Sequence, residues 1–179
     1  EYGATSLLDL GCAGGQLIID AWSQGFRAAG LEGSDYGVSF GRQNWHDYHN
    51  SLLFTCDISY PYQMVNNGDK PVLFDVISAW EVNEHIATER LKVHLENVRK
   101  HLAPKGIFIG TTSTVAGEPW HQSVFDEEKW TELFEKAGLS LEQYPFTGSP
   151  RLEGKPLGRP DLNEKEPLHS SFLYLSKAL

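Results

Sequence analysis

Leu7-Leu8-Asp9-Leu10-Gly11-Cys12-Ala13-Gly14-Gly15 decides how the rest of the chain is read. The apolar run from Thr5 to Leu10 has the length of a buried strand and stops at a cluster of small residues. Gln16 to Gln24 follows, with Leu17, Ile18, Ala21 and Trp22 at helical spacing and Gly25 as the stop. A strand that turns sharply into a helix presents unpaired N–H groups, and small residues let a ligand approach them. That arrangement suits a nucleotide-like ligand at the carboxyl end of a strand. Glu32 ends the next strand, Arg27 to Glu32, about twenty residues on, where a carboxylate can accept from both hydroxyls of a ribose.

Outward from this unit, strand-like and helix-like segments keep alternating, which predicts an α/β domain with a mostly parallel sheet. A helix is expected from near Tyr36 to near Tyr48 and a third strand over Leu52 to Cys56. A loop with Pro61, Asn66, Asn67, Gly68 and Pro71 leads to a fourth strand, Val72 to Ala79. That strand is almost continuously apolar, as one buried on both faces should be. A long helix is expected from about Asn83 to Leu102, with Leu91, Leu95, Val98 and Leu102 on its buried side. Ala103 to Gly106 reads as a turn and Ile107 to Thr112 as the fifth strand. Asp126 is placed to cap a helix buried through Trp130, Leu133, Phe134 and Ala137 and closed by Gly138. Leu139 to Phe146 is a sixth strand, Thr147 to His169 a long Pro- and Gly-rich loop beside the substrate, and Ser171 to Ser176 a last strand.

The chain has 179 residues, enough for one domain with a hydrophobic core. A net charge of −9 argues against sequence-independent nucleic-acid binding, which needs Lys and Arg to neutralise phosphates. No apolar run reaches the ~20 residues that span a bilayer, and no basic-then-apolar leader precedes Thr5. Cys12 and Cys56 form neither a C-x-x-C pair nor a disulfide framework, so a reducing cytoplasm is expected.

Two cofactor patterns compete for the first turn. A dinucleotide fingerprint needs G-x-G-x-x-G, and aligned on Gly11 this chain has Ala13 and Gln16 where the second and third glycines belong. The pattern acidic-x-G-x-[GA]-x-G is met by Asp9, Gly11, Ala13 and Gly15, and resembles the first motif of class I S-adenosylmethionine-dependent methyltransferases. The resemblance continues through Gly30-Leu31-Glu32-Gly33-Ser34, Cys56-Asp57-Ile58, Phe74 to Ile86, and Val98 to Gly106. Within the family the small-molecule O-methyltransferases of the ubiquinone-biosynthesis type look most similar.

The resemblance implies a Rossmann-like three-layer α/β/α sandwich, with a seven-stranded, mostly parallel sheet of order 3-2-1-4-5-7-6 and an antiparallel last strand. It implies S-adenosylmethionine as cofactor, S-adenosylhomocysteine as product and a small-molecule methyl acceptor. Asp9, Gly11, Cys12, Ala13 and Gly15 would form the turn beside the methionine part. Glu32 and Gly33 would take the ribose, Asp57 the adenine amino group and Ile58 the ring face, with Trp80 beside the sulfonium. Helices that usually precede the first strand in this family, covering the cofactor, are expected to be missing before Thr5.

Glu81, Glu84 and His85 stand at i, i+3 and i+4, so on a helix they share a face and could hold a divalent ion. Matching residues do so in some ubiquinone-type relatives. The bland reading is preferred at this point: Glu84 caps the helix start and His85 packs on a loop. His121, in Pro119-Trp120-His121-Gln122, is the candidate general base, its alternative being a loop-fixing hydrogen bond. Two other functions stay open, an NAD-dependent oxidoreductase and a noncatalytic scaffold that keeps the fold.

Overall fold

The computed structural model describes residues 3–114, 119–142 and 171–178. Its elements run β1 (Ser6–Leu10), α1 (Gln16–Ser23), β2 (Arg27–Glu32), α2 (Tyr36–Phe40), α3 (Trp45–Tyr48), β3 (Leu53–Thr55) and β4 (Phe74–Trp80). Short 3-10 turns at Asn83–His85 and Thr88–Arg90 lead into α4 (Leu91–His101), followed by β5 (Leu102–Ser113), α5 (Glu127–Lys136), β6 (Leu139–Glu142) and β7 (Ser171–Ala178). The seven strands form one sheet in the order β3-β2-β1-β4-β5-β7-β6, with β7 antiparallel to both neighbours. Fold class, strand order and the direction of the last strand agree with the expectation.

The parallel crossovers place helices on both faces of the sheet. On one face Leu8, Leu10, Ile77 and Phe108 pack with Leu91, Leu95 and Val98 of α4 and with Trp130 and Phe134 of α5. On the other, Leu7, Ala28 and Leu53 pack with Ile18 of α1 and Trp45 of α3. Asp126 caps α5 by accepting from the Lys129 amide at 2.8 Å, as its position predicted.

Several boundaries differ for identifiable reasons. The single helix expected over 36–48 is two short pieces, because Gly41 and Gln43 both take positive φ, 56° and 48°. On α1 only Ile18 of the expected stripe is fully buried, while Leu17 and Trp22 are 42% and 50% exposed. The turn at Ala103–Gly106 exists but lies inside β5: Leu102 pairs with Phe74 and Ile107 with Val76, so the intervening residues bulge out around Lys105 at φ 68°. The sixth strand is described over Leu139–Glu142, and the loop Thr147–His169 falls outside the described residues.

The expected helix from Asn83 begins only at Leu91. Ile86 and Ala87 are extended, with ψ of 131° and 139°. The Glu84 carbonyl accepts from the Gln122 and Ser123 amides at 2.7 and 3.0 Å, and the Ile86 carbonyl from Ser123 Oγ at 2.7 Å. Those carbonyls would otherwise accept from residues four further along, so the helix ladder cannot start here.

Candidate active site

At the carboxyl ends of the central strands the glycine turn is held from three sides. The Gly11 and Cys12 amides donate to the Leu31 carbonyl at 2.8 and 3.1 Å. Trp45 Nε1 donates to the Ala13 carbonyl at 2.6 Å and Asn44 Nδ2 to that of Gly14 at 3.1 Å. A Cβ on Gly11 would lie 2.5 Å from Val82 Cγ2, and one on Gly15 2.5 Å from Leu53 Cδ1. Gly11 and Gly15 have φ of 70° and 78°, so both the space and the conformation call for glycine. Ala13 adopts φ 47° with a side chain, a strained conformation stabilised by its amide donating to Glu32 Oε2 at 3.0 Å.

Glu32 is thus tied to the turn, and its Oε1 accepts from the Ser34 amide at 3.1 Å. Each carboxylate oxygen keeps a second lone pair for a ligand. Asp57 Oδ1 accepts from the Ser59 amide and hydroxyl at 3.0 and 2.6 Å, capping its own turn, while Oδ2 has no hydrogen bond among the described residues. The turn-capping and ligand readings of Asp57 are therefore compatible.

Between these groups lies a cavity of about 410 Å³, lined by Gly11, Glu32, Gly33, Asp57, Ile58, Glu81, Val82, His85 and Ile86. Of the residues expected to bind cofactor, five line this cavity. Cys12, Ala13 and Gly15 belong to the turn beside it, and Trp80, 45% exposed, ends β4 one residue before Glu81. Asp9 sits beneath, 5% exposed, its Oδ1 accepting from Ser78 Oγ at 2.7 Å. Burial pushes its carboxyl up to about 6 against the lowering effect of that bond, with Glu32 adding repulsion. Burial, with Asp9 and Glu32 nearby, drives the Cys12 thiol up to about 12, so it is a small filler rather than a nucleophile. A larger open groove of about 870 Å³ lies at the opposite, amino ends of β2 and β4, past Arg27 and Phe74 and away from the turn.

The segment after β4 carries the charge. Glu81 has φ 53°, a left-handed conformation for a residue with a side chain, and its amide donates to the Thr111 carbonyl at 3.0 Å. Glu84 is fully buried: Oε2 accepts from Thr112 Oγ1 at 3.2 Å, and Oε1 has no partner among the described residues. Burial and the Glu81 carboxylate beside it raise its pKa, since two ionised acceptors repel unless they share a proton. His85 Nδ1 donates to the Trp120 carbonyl at 3.3 Å, since a carbonyl only accepts. The His121 ring stands 5.1 Å from that of His85, and its Nδ1 is buried without a partner among the described residues.

The shared helical face expected for Glu81, Glu84 and His85 does not form, because the α-helix starts only at Leu91 and Glu81, at φ 53°, lies outside the short 3-10 turn of Asn83–His85. Ligand atoms of Glu84, His85 and His121 instead lie within 4.8 Å of one another. Glu84 does not cap a helix either, its carboxylate being turned to Thr112. His85 does pack on the 120–122 segment, as the bland reading held. The His121 contribution spans thirty-six residues of chain, and only its place after β5 hinted at it.

A nucleotide-sized crevice at the ends of β1, β2 and β3, under a 3-2-1-4-5-7-6 sheet, defines the Rossmann-like methyltransferase class of fold. A family model described as a methyltransferase domain matches residues 4–144, and the chain belongs to that family. It is 28% identical over 123 residues to the ubiquinone biosynthesis O-methyltransferase of Paramagnetospirillum magneticum, covering 69% of this chain and 46% of that protein. The same-named protein of Rickettsia conorii is 26% identical over 110 residues, 59% of this chain and 34% of its own length. The chain thus spans less than half the length of these relatives. An S-adenosylmethionine-dependent methyltransferase from Mesorhizobium loti superposes with a TM-score of 0.66 at 15% identity, covering 98% and 92% of the two chains. The O-methyltransferase of a Brevibacillus brevis trans-AT PKS multienzyme, in complex with S-adenosyl-L-homocysteine, gives 0.61 at 20% identity over 78% and 48%.

Proposed function

We propose that this chain is the catalytic domain of an S-adenosylmethionine-dependent methyltransferase acting on an oxygen, nitrogen or carbon nucleophile of a small molecule, in the cytoplasm. The observation that carries the reading is a single cavity walled at one end by Gly11, Glu32, Asp57 and Ile58 and at the other by Glu81 and His85. Glu32 accepts from the ribose hydroxyls, Asp57 Oδ2 from the adenine amino group, and Ile58 packs on the ring. The turn from Asp9 to Gly15 receives the methionine part, and Trp80 borders the methyl-facing side.

When bound, the cofactor supplies an activated methyl group on a sulfonium. The chain's part is to hold donor and acceptor in line and to keep water out, and proximity of that kind supplies much of the rate. An acceptor that loses its proton needs a base, and the imidazoles of His85 and His121 are at hand, His85 in the cavity wall and His121 behind it. The acidic surface suits a small acceptor better than a nucleic acid.

One further observation favours a second use of this cluster. Glu84 Oε1 and His121 Nδ1 are both buried without partners among the described residues, beside His85. One carboxylate and two imidazoles fit a divalent transition ion such as zinc. Calorimetric titration with S-adenosylhomocysteine and, separately, NAD tests the main reading: micromolar binding of the first is expected, and binding of NAD alone would overturn it. Repeating the titration with Zn²⁺ on wild type and His121→Ala tests the second; identical heats from both proteins would remove it.

A further inference from the structure

The buried side of α4 carries three polar residues one turn apart: His94, Asn97 and His101, of which His94 and His101 are 0% and Asn97 5% exposed. Polar groups are costly there unless hydrogen-bonded; Asn97 and His101 are bonded to the loop after β3, and His94 to Asn83 in the first 3-10 turn. Asn97 Nδ2 donates to the carbonyls of Tyr60 at 2.8 Å and Ile58 at 3.3 Å. Two carbonyls facing one carboxamide admit only its nitrogen, so the orientation follows from chemistry. His101 Nε2 accepts from the Met64 amide at 3.0 Å, while Nδ1 donates to the Asn97 carbonyl at 2.8 Å. His94 Nε2 pairs with Asn83 Oδ1 at 3.0 Å, and its Nδ1 lies toward the Ile58 carbonyl without a full hydrogen bond.

The segment that Asn97 and His101 hold, from Cys56 to Leu73, has no helix or strand of its own beyond the isolated bridge between Val65 and Pro71. Its first residues, Asp57 and Ile58, line the cofactor cavity. Apolar packing alone would let such a loop slide, whereas two directional bonds to backbone carbonyls two residues apart fix which residue meets the ligand. We infer that Asn97 is a positioning residue for recognition of the adenine base, acting through the Ile58 and Tyr60 carbonyls. The inference rests on the cofactor reading above and adds to it a residue outside the cavity that sets base selectivity.

The test measures affinity for S-adenosylhomocysteine and for its inosine analogue, which differ only where Asp57 meets the base. Wild type should prefer the adenine form about tenfold or more, the loss of one buried polar contact. Asn97→Leu should bind the adenine form several-fold more weakly and prefer it by less than threefold. Leu95→Ala, a cavity in the same helix, should lower the melting temperature and keep the wild-type preference. A full preference retained by Asn97→Leu, or equal affinity of wild type for both ligands, overturns the inference. Failure of wild type to bind either ligand overturns the cofactor reading instead. Should Asn97→Leu not fold, nitrogen-edited NMR of wild type decides: the Asn97 carboxamide signals must shift when adenosine is added and stay put when methionine is added, and unmoved signals with adenosine bound contradict the inference.

Discussion

Asp9→Asn should stabilise the fold and weaken the site, and both effects can be worked out from its surroundings. The carboxyl is buried, with one bond from Ser78 and with Glu32 nearby, and its pKa rises from 3.8 to about 6. The folded state therefore holds a proton that the unfolded state has released between those values. Stability falls as pH rises through that window, and the penalty is fully present above about pH 6. With 2.303RT near 1.4 kcal/mol, it amounts to about 3 kcal/mol at pH 7. Asparagine keeps the shape and an oxygen for the Ser78 hydroxyl but carries no charge. The wild-type pH profile alone will not reveal this, because His94 slopes the other way. Burial lowers its pKa from 6.5 to about 4, so its contribution is present above the unfolded value and lost as pH falls toward 4. The difference between the two proteins isolates Asp9. Urea unfolding should give nearly equal stabilities near pH 3.5 and a variant more stable by about 2–3 kcal/mol at pH 7. S-Adenosylhomocysteine should bind the variant about tenfold more weakly, a stability–function trade-off of a common kind. A difference that is flat across pH would refute the electrostatic reasoning.

Glu32→Ala removes a charged acceptor worth about 1.5–3 kcal/mol, so affinity for S-adenosylhomocysteine should fall roughly 10- to 100-fold by calorimetry. Gly15→Ala must place a Cβ against Leu53 at φ 78°, and chemical denaturation should show a loss of about 2 kcal/mol or more. Gly14→Ala meets chiefly the amide end of the exposed Gln43 side chain, which can swing away, with Gln43 Cβ next at 3.3 Å, and should cost under about 1 kcal/mol in the same assay. Trp45→Phe leaves the Ala13 carbonyl without its indole donor, and a loss of about 1 kcal/mol with weaker cofactor binding is expected.

What the sequence revealed was mostly local or periodic. The β1 turn, the carboxylate at the end of β2 and the alternation of strands with helices follow from runs of apolar residues and from small residues at fixed offsets, whereas the order of the strands comes only from the family resemblance. The stop at Ile86 was not legible, because Gln122 and Ser123, distant in sequence, take the carbonyls a helix would need. The same folding-back brings His121 to Glu84 and His85, a meeting that no spacing encodes. The polar side of α4 misleads in another way. His94 and His101 are polar positions on a buried helix face, where Asn83 and the Met64 amide, not water, complete their hydrogen bonds. The exposed Leu17 and Trp22 show the converse, a helical stripe broader than the sheet area available to cover it.

The most direct test is a crystal structure of the protein soaked with S-adenosylhomocysteine. The account predicts the ribose hydroxyls roughly 3 Å from the Glu32 carboxylate, the base on Ile58 and the thioether sulfur toward Trp80. Ligand density elsewhere, or protein side chains closing the space between Gly11, Glu32 and Asp57, would contradict it.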